Sequence, residues 1–401
     1  MSINELPDDC LLIIFGLINE LDDLLNCYKV CSKWSQLIAK RTRTVKYFIG
    51  HRVKNGGCES VQFPRNVFGY VYYKTKAPID GTCLSTLFPN LIIADFSGFR
   101  EKVKYEDMVT FVKEIKSLKG LIHKYDTRGE LISQYCDQLE MLSTNHIDPC
   151  MEKNGVNIKQ LRLGNVTLDE FKKDAHFFPN LERLCISTDK GYYDGPILRR
   201  LKILELYFFT PHGIYDDPYV DEDLYYGFQF MDSCPNLQSA HLFFRNNRIY
   251  VAESVKNKSL QDLVLTYDGF DYYASVAWKD LKRVLMKYPN LKHLALVGNM
   301  NLDDEYVEEL VRILPNLVLL IVRAEYWPDV TQKAVDYVRD YCNLHGRSIK
   351  FYFDDNHHEI QSDWPQLSTD FEKISQGFDF LKNCFLKYSM VLPNFLISNE
   401  N

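Results

Sequence analysis

The chain has 401 residues, 46% hydrophobic and 25% charged, with a formal net charge of −7, a balance typical of water-soluble globular proteins and enough length for more than one core. Excess acid argues against broad nucleic-acid binding, which needs phosphate-neutralising Lys and Arg. No run approaches a membrane span, acidic residues precede the apolar Cys10–Ile18 stretch where a secretory signal would be basic, and the 11 scattered cysteines suit reduced thiols of the cytosol or nucleus.

Pro7 stands where a helix can begin, since the first helical position needs no N–H. Asp8 and Asp9 put negative charge against the positive end of that helix. Leu11, Ile14, Phe15 and Ile18 follow at helical spacing. Asp22-Asp23 restarts a helix, and Leu24, Cys27, Tyr28, Cys31, Trp34 and Leu37 form a second stripe. Three short helices cannot bury all these faces by themselves, so an apolar stripe is left for a partner. Cys27 and Cys31 sit four apart, but with no paired Cys or His nearby they read as packed thiols. The basic run Ala39–Lys46 reads as a solvated helix end whose cations suit the dipole.

Leu6-Pro7-Asp8-Asp9-x-Leu11-Leu12-x-Ile14-Phe15, then Leu21-x-Asp23-Leu24-Leu25, then Val30-Cys31-x-x-Trp34-x-x-Leu37-Ile38 together resemble an F-box, over Ile3 to about Phe48. Cys10 departs from the family's usual polar residue. The resemblance implies a three-helix domain over 1–48 that binds the adaptor subunit of SCF-type cullin ubiquitin ligases, and through it cullin. It also implies Leu6, Pro7, Leu11, Ile14, Val30, Cys31 and Trp34 as adaptor contacts or their immediate support.

Val45–Ile49 reads as a strand, and Gly50, Gly56 and Gly57 mark a joint over 49–60. From there the chain repeats. Pro-Asn-Leu occurs at Pro89, Pro179, Pro235, Pro289 and Pro315, each opening a segment close to Leu-x-x-Leu-x-Leu. Leu291-x-x-Leu294-x-Leu296-x-x-Asn299 is the fullest copy; Leu181, Leu201, Leu260 and Leu317 open close ones, and Leu118, Leu139 and Ile158 weaker ones. The spacing centres on the ~20–29 residues of a leucine-rich repeat. Between the copies lie helical patterns: Met108, Phe111, Val112 and Ile115; a capping box at Thr167-x-x-Glu170; Ala277, Leu281, Val284 and Leu285; and Leu302, Tyr306, Leu310 and Leu314.

The expected fold class is therefore α/β: an N-terminal three-helix F-box, then a leucine-rich-repeat α/β solenoid, or horseshoe, over 61–358. The order is that of the leucine-rich-repeat class of F-box proteins. A C-terminal capping helix and tail are expected over 359–401, from Thr369-x-x-Glu372 and the spacing of Phe371, Ile374, Phe378, Leu381, Phe385 and Tyr388.

The x positions of the repeats, including Lys159, Gln160, Arg162, Glu182, Arg183, Lys202, Glu205, Gln238, His241, Gln261, Asp262, Lys292 and His293, are expected on an open strand face. Such a mixed polar array suits a protein-binding surface, and equally a solvated one. The longest interval, Leu201 to Leu237, interleaves Tyr207, Phe208, Phe209, Tyr215, Tyr219, Tyr225, Tyr226, Phe228 and Phe230 with Asp216, Asp217, Asp221, Glu222 and Asp223. Tyrosines beside carboxylates form a candidate site for a basic partner. The substrate-binding candidates are Arg162, Arg183, Glu205, His241, His293, Tyr215, Asp216, Asp217, Tyr219 and Asp221.

The acidic run lacks the ligand spacing and glycine of a calcium loop. His357-His358 beside Asp354, Asp355 and Glu359 reads as a polar turn after the last strand, not a metal site. No glycine-rich phosphate loop and no Gly-x-Ser-x-Gly elbow is present. No catalytic residue, metal or cofactor is expected. The reading that results is a non-catalytic receptor of the cytosol or nucleus, holding an unknown protein substrate for a cullin ligase, without nucleic acid or membrane. The alternative is an F-box scaffold acting outside a cullin complex.

Overall fold

A computed structural model describes residues 3–50, 69–73, 81–97, 105–123, 137–147, 149, 151–188, 192–208, 224–268, 275–298, 300–323, 330–353, 357–365, 367, 372–377, 379–387 and 392–398. The chain divides into two compact units, Met1–Gly164 with Glu372–Ser375, and Asn165–Phe371 with Gln376–Asn401.

The first unit opens with α1 (Asp8–Gly16), α2 (Leu21–Tyr28) and α3 (Ser32–Thr42). Pro7 is the N-cap of α1, one residue ahead of the expected position, and Asp8 and Asp9 occupy its first turn. Parallel strands β1 (Tyr47–Gly50), β2 (Tyr70–Tyr73), β3 (Ile93–Asp95), β4 (Gly120–Ile122), β5 (Met141–Thr144) and β6 (Gln160–Thr167) lie in the order β2-β1-β3-β4-β5-β6. Helices α4 (Gly81–Leu87), α5 (Tyr105–Glu114) and α6 (Met151–Asn154) connect them.

Met108, Phe111, Val112 and Ile115 are buried, as their spacing predicts. Phe48 is central to this core, its ring stacked 4.9 Å from Tyr73 and 6.3 Å from Phe111. The Lys373 Nζ donates to Asp95 Oδ2 at 2.8 Å and to the Gly50 carbonyl, so the buried Asp95 carboxylate is paired. Of the joint expected over 49–60, Ile49 and Gly50 complete β1, and 51–60 lie outside the described residues.

The second unit begins with α7 (Leu168–Asp174), whose capping box joins Thr167 and Glu170 as expected. Strands β7 (Arg183–Thr188), β8 (Ile203–Phe208), β9 (Ser239–Phe244), β10 (Asp262–Tyr267), β11 (His293–Gly298), β12 (Leu319–Arg323) and β13 (Lys350–Phe353) are parallel and neighbour one another in chain order. Between them run α8 (Gly227–Asp232), α9 (Trp278–Leu285), α10 (Asp304–Ile313) and α11 (Gln332–His345). Leu184, Leu204, Ala240, Leu263, Leu294, Leu320 and Phe351 fall in one register row. The five leucines of that row are fully buried. Leu281, Val284, Leu285, Val307, Leu310 and Val311 are the buried positions of α9 and α10, whereas Ala277 and Tyr306 stay partly or wholly exposed.

The Pro-Asn-Leu motif has a division of labour. Its leucine enters the core: Leu91, Leu181, Leu237, Leu291 and Leu317 are all buried. Its asparagine ties adjacent turns together. Asn236 Nδ2 donates to Arg199 O at 2.7 Å, Asn290 Nδ2 to Lys258 O at 2.8 Å and Asn316 Nδ2 to Pro289 O at 3.0 Å. In the first unit Asn90 Nδ2 does the same to Arg43 O at 2.8 Å.

The expectation of one C-terminal capping helix is corrected. After α12 (His357–Asp363), which begins at the His357-His358 pair read as a turn, come β14 (Ile374–Gln376), the short α13 (Phe380–Asn383) and β15 (Phe395–Ile397). Ile374 lies in a strand and Phe385 in a turn, while Thr369, Phe371, Phe378 and Tyr388 fall outside the described residues. Gly377 has φ of +95°, a left-handed conformation no continuous right-handed helix can pass through. Within the second unit this segment packs on the other face of the strands. Ile360, Leu367, Phe380, Cys384, Phe385, Leu386, Leu392 and Leu396 share a core with Ile203, Val264, Ala295, Ile321 and Tyr352.

Candidate functional site

Helix α1 is apolar nearly all round, yet only one side of it is covered. Leu11 and Phe15 are buried, while Ile13 is 60% and Leu17 62% exposed, with Ile14 also exposed. A helix with apolar residues on every side is ordinarily buried, so the open side calls for a partner. Tyr28 and Val30, at the turn between α2 and α3, are exposed as well, and Cys31 and Trp34 are half-buried.

The short turn Ile3–Glu5 ahead of α1 is fixed against the start of α3. Trp34 Nε1 donates to Asn4 Oδ1 at 2.8 Å, Lys33 Nζ donates to the Asn4 and Leu6 carbonyls at 3.2 and 3.1 Å, and Lys33 pairs with Asp8 at 3.2 Å. Trp34 packs edge-on against Phe15, with centroids 5.0 Å apart. These contacts hold the Asn4–Asp8 stretch, with Leu6 and Pro7 in it, against the start of α3 at Lys33 and Trp34.

Other ties hold the helices to one another and to β2. Buried Arg41 donates to Asn19 Oδ1 at 3.0 Å and Thr44 Oγ1 at 3.2 Å. Burial lowers its guanidinium to about 10, still a cation at neutral pH. The Tyr72 amide donates to Asn19 O and the Lys46 amide to Gly69 O, both at 2.8 Å. The open apolar surface is therefore presented from a rigid base.

The family model described as F-box-like matches residues 3–43. These residues are an F-box-like domain. No curated protein matches the chain. An F-box-like domain points to docking on the adaptor of SCF-type ubiquitin ligases, and the seven residues named for that role divide accordingly. Pro7, Ile14 and Val30 are exposed, and Leu6, Cys31 and Trp34 are half-buried at the surface. Leu11 is fully buried and supports the surface from beneath. Ile3, Ile13, Leu17 and Tyr28 are exposed there too. The signal for Ile13 and Leu17 is that the apolar residues of α1 continue beyond the face that holds Leu11 and Phe15. Burial and the neighbouring Asp23 raise the Cys27 thiol above its ordinary value, which favours a protonated, packed sulfur.

The residues named for substrate do not form one surface. Arg162 is half-buried in the first unit. Arg183, Glu205 and His241 were expected on an open face, and Gln160 with them, but all four are buried. In the second unit the C-terminal segment explains this. Arg183 meets Glu205 through two hydrogen bonds of 2.8 and 3.0 Å and donates to Pro393 O at 2.7 Å and Asn394 O at 3.3 Å. His293 is half-buried, 2.6 Å from Asp262 and flanked by Trp364 and Phe385. Tyr215, Asp216, Asp217, Tyr219 and Asp221 lie outside the described residues. Of the same interval, Tyr225, Phe228 and Phe230 are core residues, with Tyr225 stacked 4.9 Å from Phe244.

Among the described residues no His, Cys, Asp and Glu group could hold a metal ion, and no helix is long and apolar enough to cross a membrane.

His241 lies beneath Phe380, its ring centroid 6.5 Å away, and its Nδ1 has no hydrogen-bond partner. Burial pushes its pKa down to about 3, and that of His123 in the first unit to about 4. Both are neutral in the fold and titrate near ~6.5 when unfolded. Below that pH the unfolded chain binds more protons, so stability present above it is lost as pH falls, by up to ~1.4 kcal/mol per unit for each histidine. Denaturant unfolding at successive pH values between neutral and acid should show a shallower decline for His241→Gln than for the wild type. Equal slopes would mean that His241 is already accessible to protons.

Proposed function

We propose that the chain is the substrate-recognition subunit of an SCF-type cullin ubiquitin ligase. The F-box-like domain docks the adaptor, and the adaptor brings cullin and a ubiquitin-charged enzyme. The strand–helix units behind it, read as leucine-rich repeats in a horseshoe solenoid, hold a target protein. The receptor performs no bond chemistry; it raises the effective concentration of target lysines near the enzyme. It works in the cytosol or nucleus, where its free thiols stay reduced.

The observation that carries this reading is the open apolar surface within residues 3–43. An adaptor covering it would bury roughly 1,600 Å² in total, the usual size of a specific interface. Leu6→Ala combined with Pro7→Ala should reduce adaptor recovery about tenfold or more, as loss of central interface residues does, with an unchanged thermal transition. Undiminished adaptor recovery from the double variant overturns the docking assignment. Recovery of the adaptor without cullin would favour the scaffold reading, in which the F-box acts outside a ligase.

A further inference from the structure

An open depression of about 770 Å³ runs along the edge of the second unit where its strands begin. Its charged lining is Arg199, Arg200, Lys202, Lys258 and Lys292 against the single acid Glu182. On a chain whose net charge is −7, five cations against one acid is a strong local reversal of sign.

The arrangement is a row. Backbone hydrogen bonds run from Lys202 to Glu182, Gln238 to Lys202, Gln261 to Gln238 and Lys292 to Gln261, so these residues occupy equivalent positions one strand apart. Strands lie ~4.8 Å apart, and the three steps from Lys202 to Lys292 span ~14 Å, the length of about four residues of extended chain. Arg199 and Arg200 stand in the turn before β8, and Lys258 in the turn before β10.

The cations differ in how far they are already committed. Lys202 is 2.8 Å from Glu182, and Lys292 is 3.0 Å from Gln261 Oε1. Arg199, Arg200 and Lys258 have no side-chain partner among the described residues. The asparagines of the lining hold the floor rigid, because Asn236 and Asn290 spend their Nδ2 donors on the Arg199 and Lys258 carbonyls. The backbone that carries these cations is therefore fixed before a ligand arrives, and only the side chains have to be ordered on binding.

The geometry points to this row as a docking site for an extended, carboxylate-rich segment of a protein partner, lying across the strands. Carboxylates alternating along such a segment meet Arg199, Arg200 and Lys258 in turn, and the Arg forks donate to them bidentately. Single-stranded nucleic acid fits less well. The lining contains no aromatic side chain on which a base would stack. This names the chemistry of the target in the receptor reading, and rests on that reading for its role in the cell.

The test uses the full chain purified with its adaptor and a fluorescein-labelled oligoglutamate peptide, followed by anisotropy at low and physiological salt. Binding is expected at low salt and should weaken as salt screens the exposed charges beyond ~8–10 Å. Arg199→Glu with Arg200→Glu and Lys258→Glu should weaken it about tenfold or more. A control with the same charge change, Lys279→Glu with Lys333→Glu and Arg339→Glu, should stay within about twofold, because those exposed residues lie outside the row. No peptide binding by the wild type, equal losses in the two triple variants, or tighter binding of an oligouridylate than of the peptide overturns the proposal. Adaptor retention, scored in every arm, reports separately on the F-box.

Discussion

Glu205→Ala should destabilise the chain by about 3–5 kcal/mol, the largest single effect expected of a side chain in the second unit. Glu205 and Arg183 are both essentially inaccessible to solvent, at 0% and 1%. Arg183 donates to both oxygens of Glu205 and to the Pro393 and Asn394 carbonyls. Removing the carboxylate leaves a buried guanidinium facing two carbonyl dipoles and the Cys384 thiol, whose pKa burial and Glu205 together raise well above its ordinary value. Replacing both partners, Arg183→Met with Glu205→Leu, should recover most of the loss, because apolar groups of similar size need no counter-charge. The urea midpoint at constant slope is the measurement. A Glu205→Ala midpoint within about 0.5 kcal/mol of the wild type, as at a surface site, would mean the pair is hydrated and the segment over it open.

Leu294→Ala should cost about 2–5 kcal/mol through lost burial and the cavity left behind. Leu294 has no solvent exposure and lies in register with Leu263 on one side and Leu320 on the other. Neither neighbouring strand can move in to fill the space without breaking its own ladder. Val318, next to the start of β12, is 39% exposed, and Val318→Ala should stay within about 0.5 kcal/mol. The two variants compared in one titration separate a core row from a surface. Similar midpoints for both would contradict the register described.

Much of this was legible because inward positions admit only apolar residues. Leu184, Leu204, Leu263, Leu294 and Leu320 mark their row from the sequence, and the Thr167–Glu170 box marks a helix start by chemistry that needs no long-range information. The F-box-like segment was legible for the same reason, its apolar positions being fixed by three short helices.

The x positions were not, because strict alternation assumes a strand with one wet face. Arg183 and Glu205 satisfy each other and need no water, and their contacts with Pro393 and Asn394 span some 200 residues of chain. One sign of the covered face was present nonetheless. The positions equivalent to Glu205 in β10, β11 and β12 are Val264, Ala295 and Ile321, so these strands are apolar on both faces, as strands buried on both sides require. The basic row was also written in the chain, as Arg199-Arg200 ahead of Leu201 and Lys258 ahead of Leu260, but only the stacking of turns turns separate cations into a line.

The order of synthesis gives the C-terminal segment another consequence. Strands β7 to β13 are complete at Phe353, before any of Ile360–Leu396 has left the ribosome. At ~5–20 residues per second, the strands wait a few seconds with one face bare. During that interval Val264, Ala295, Ile321 and Tyr352 have no cover, and Arg183 and Glu205 have water where two carbonyls will later sit. A nascent chain in that state presents an apolar sheet to its neighbours. A stalled or truncated product ending near Phe353 would be sticky for the same reason, whatever the state of its F-box.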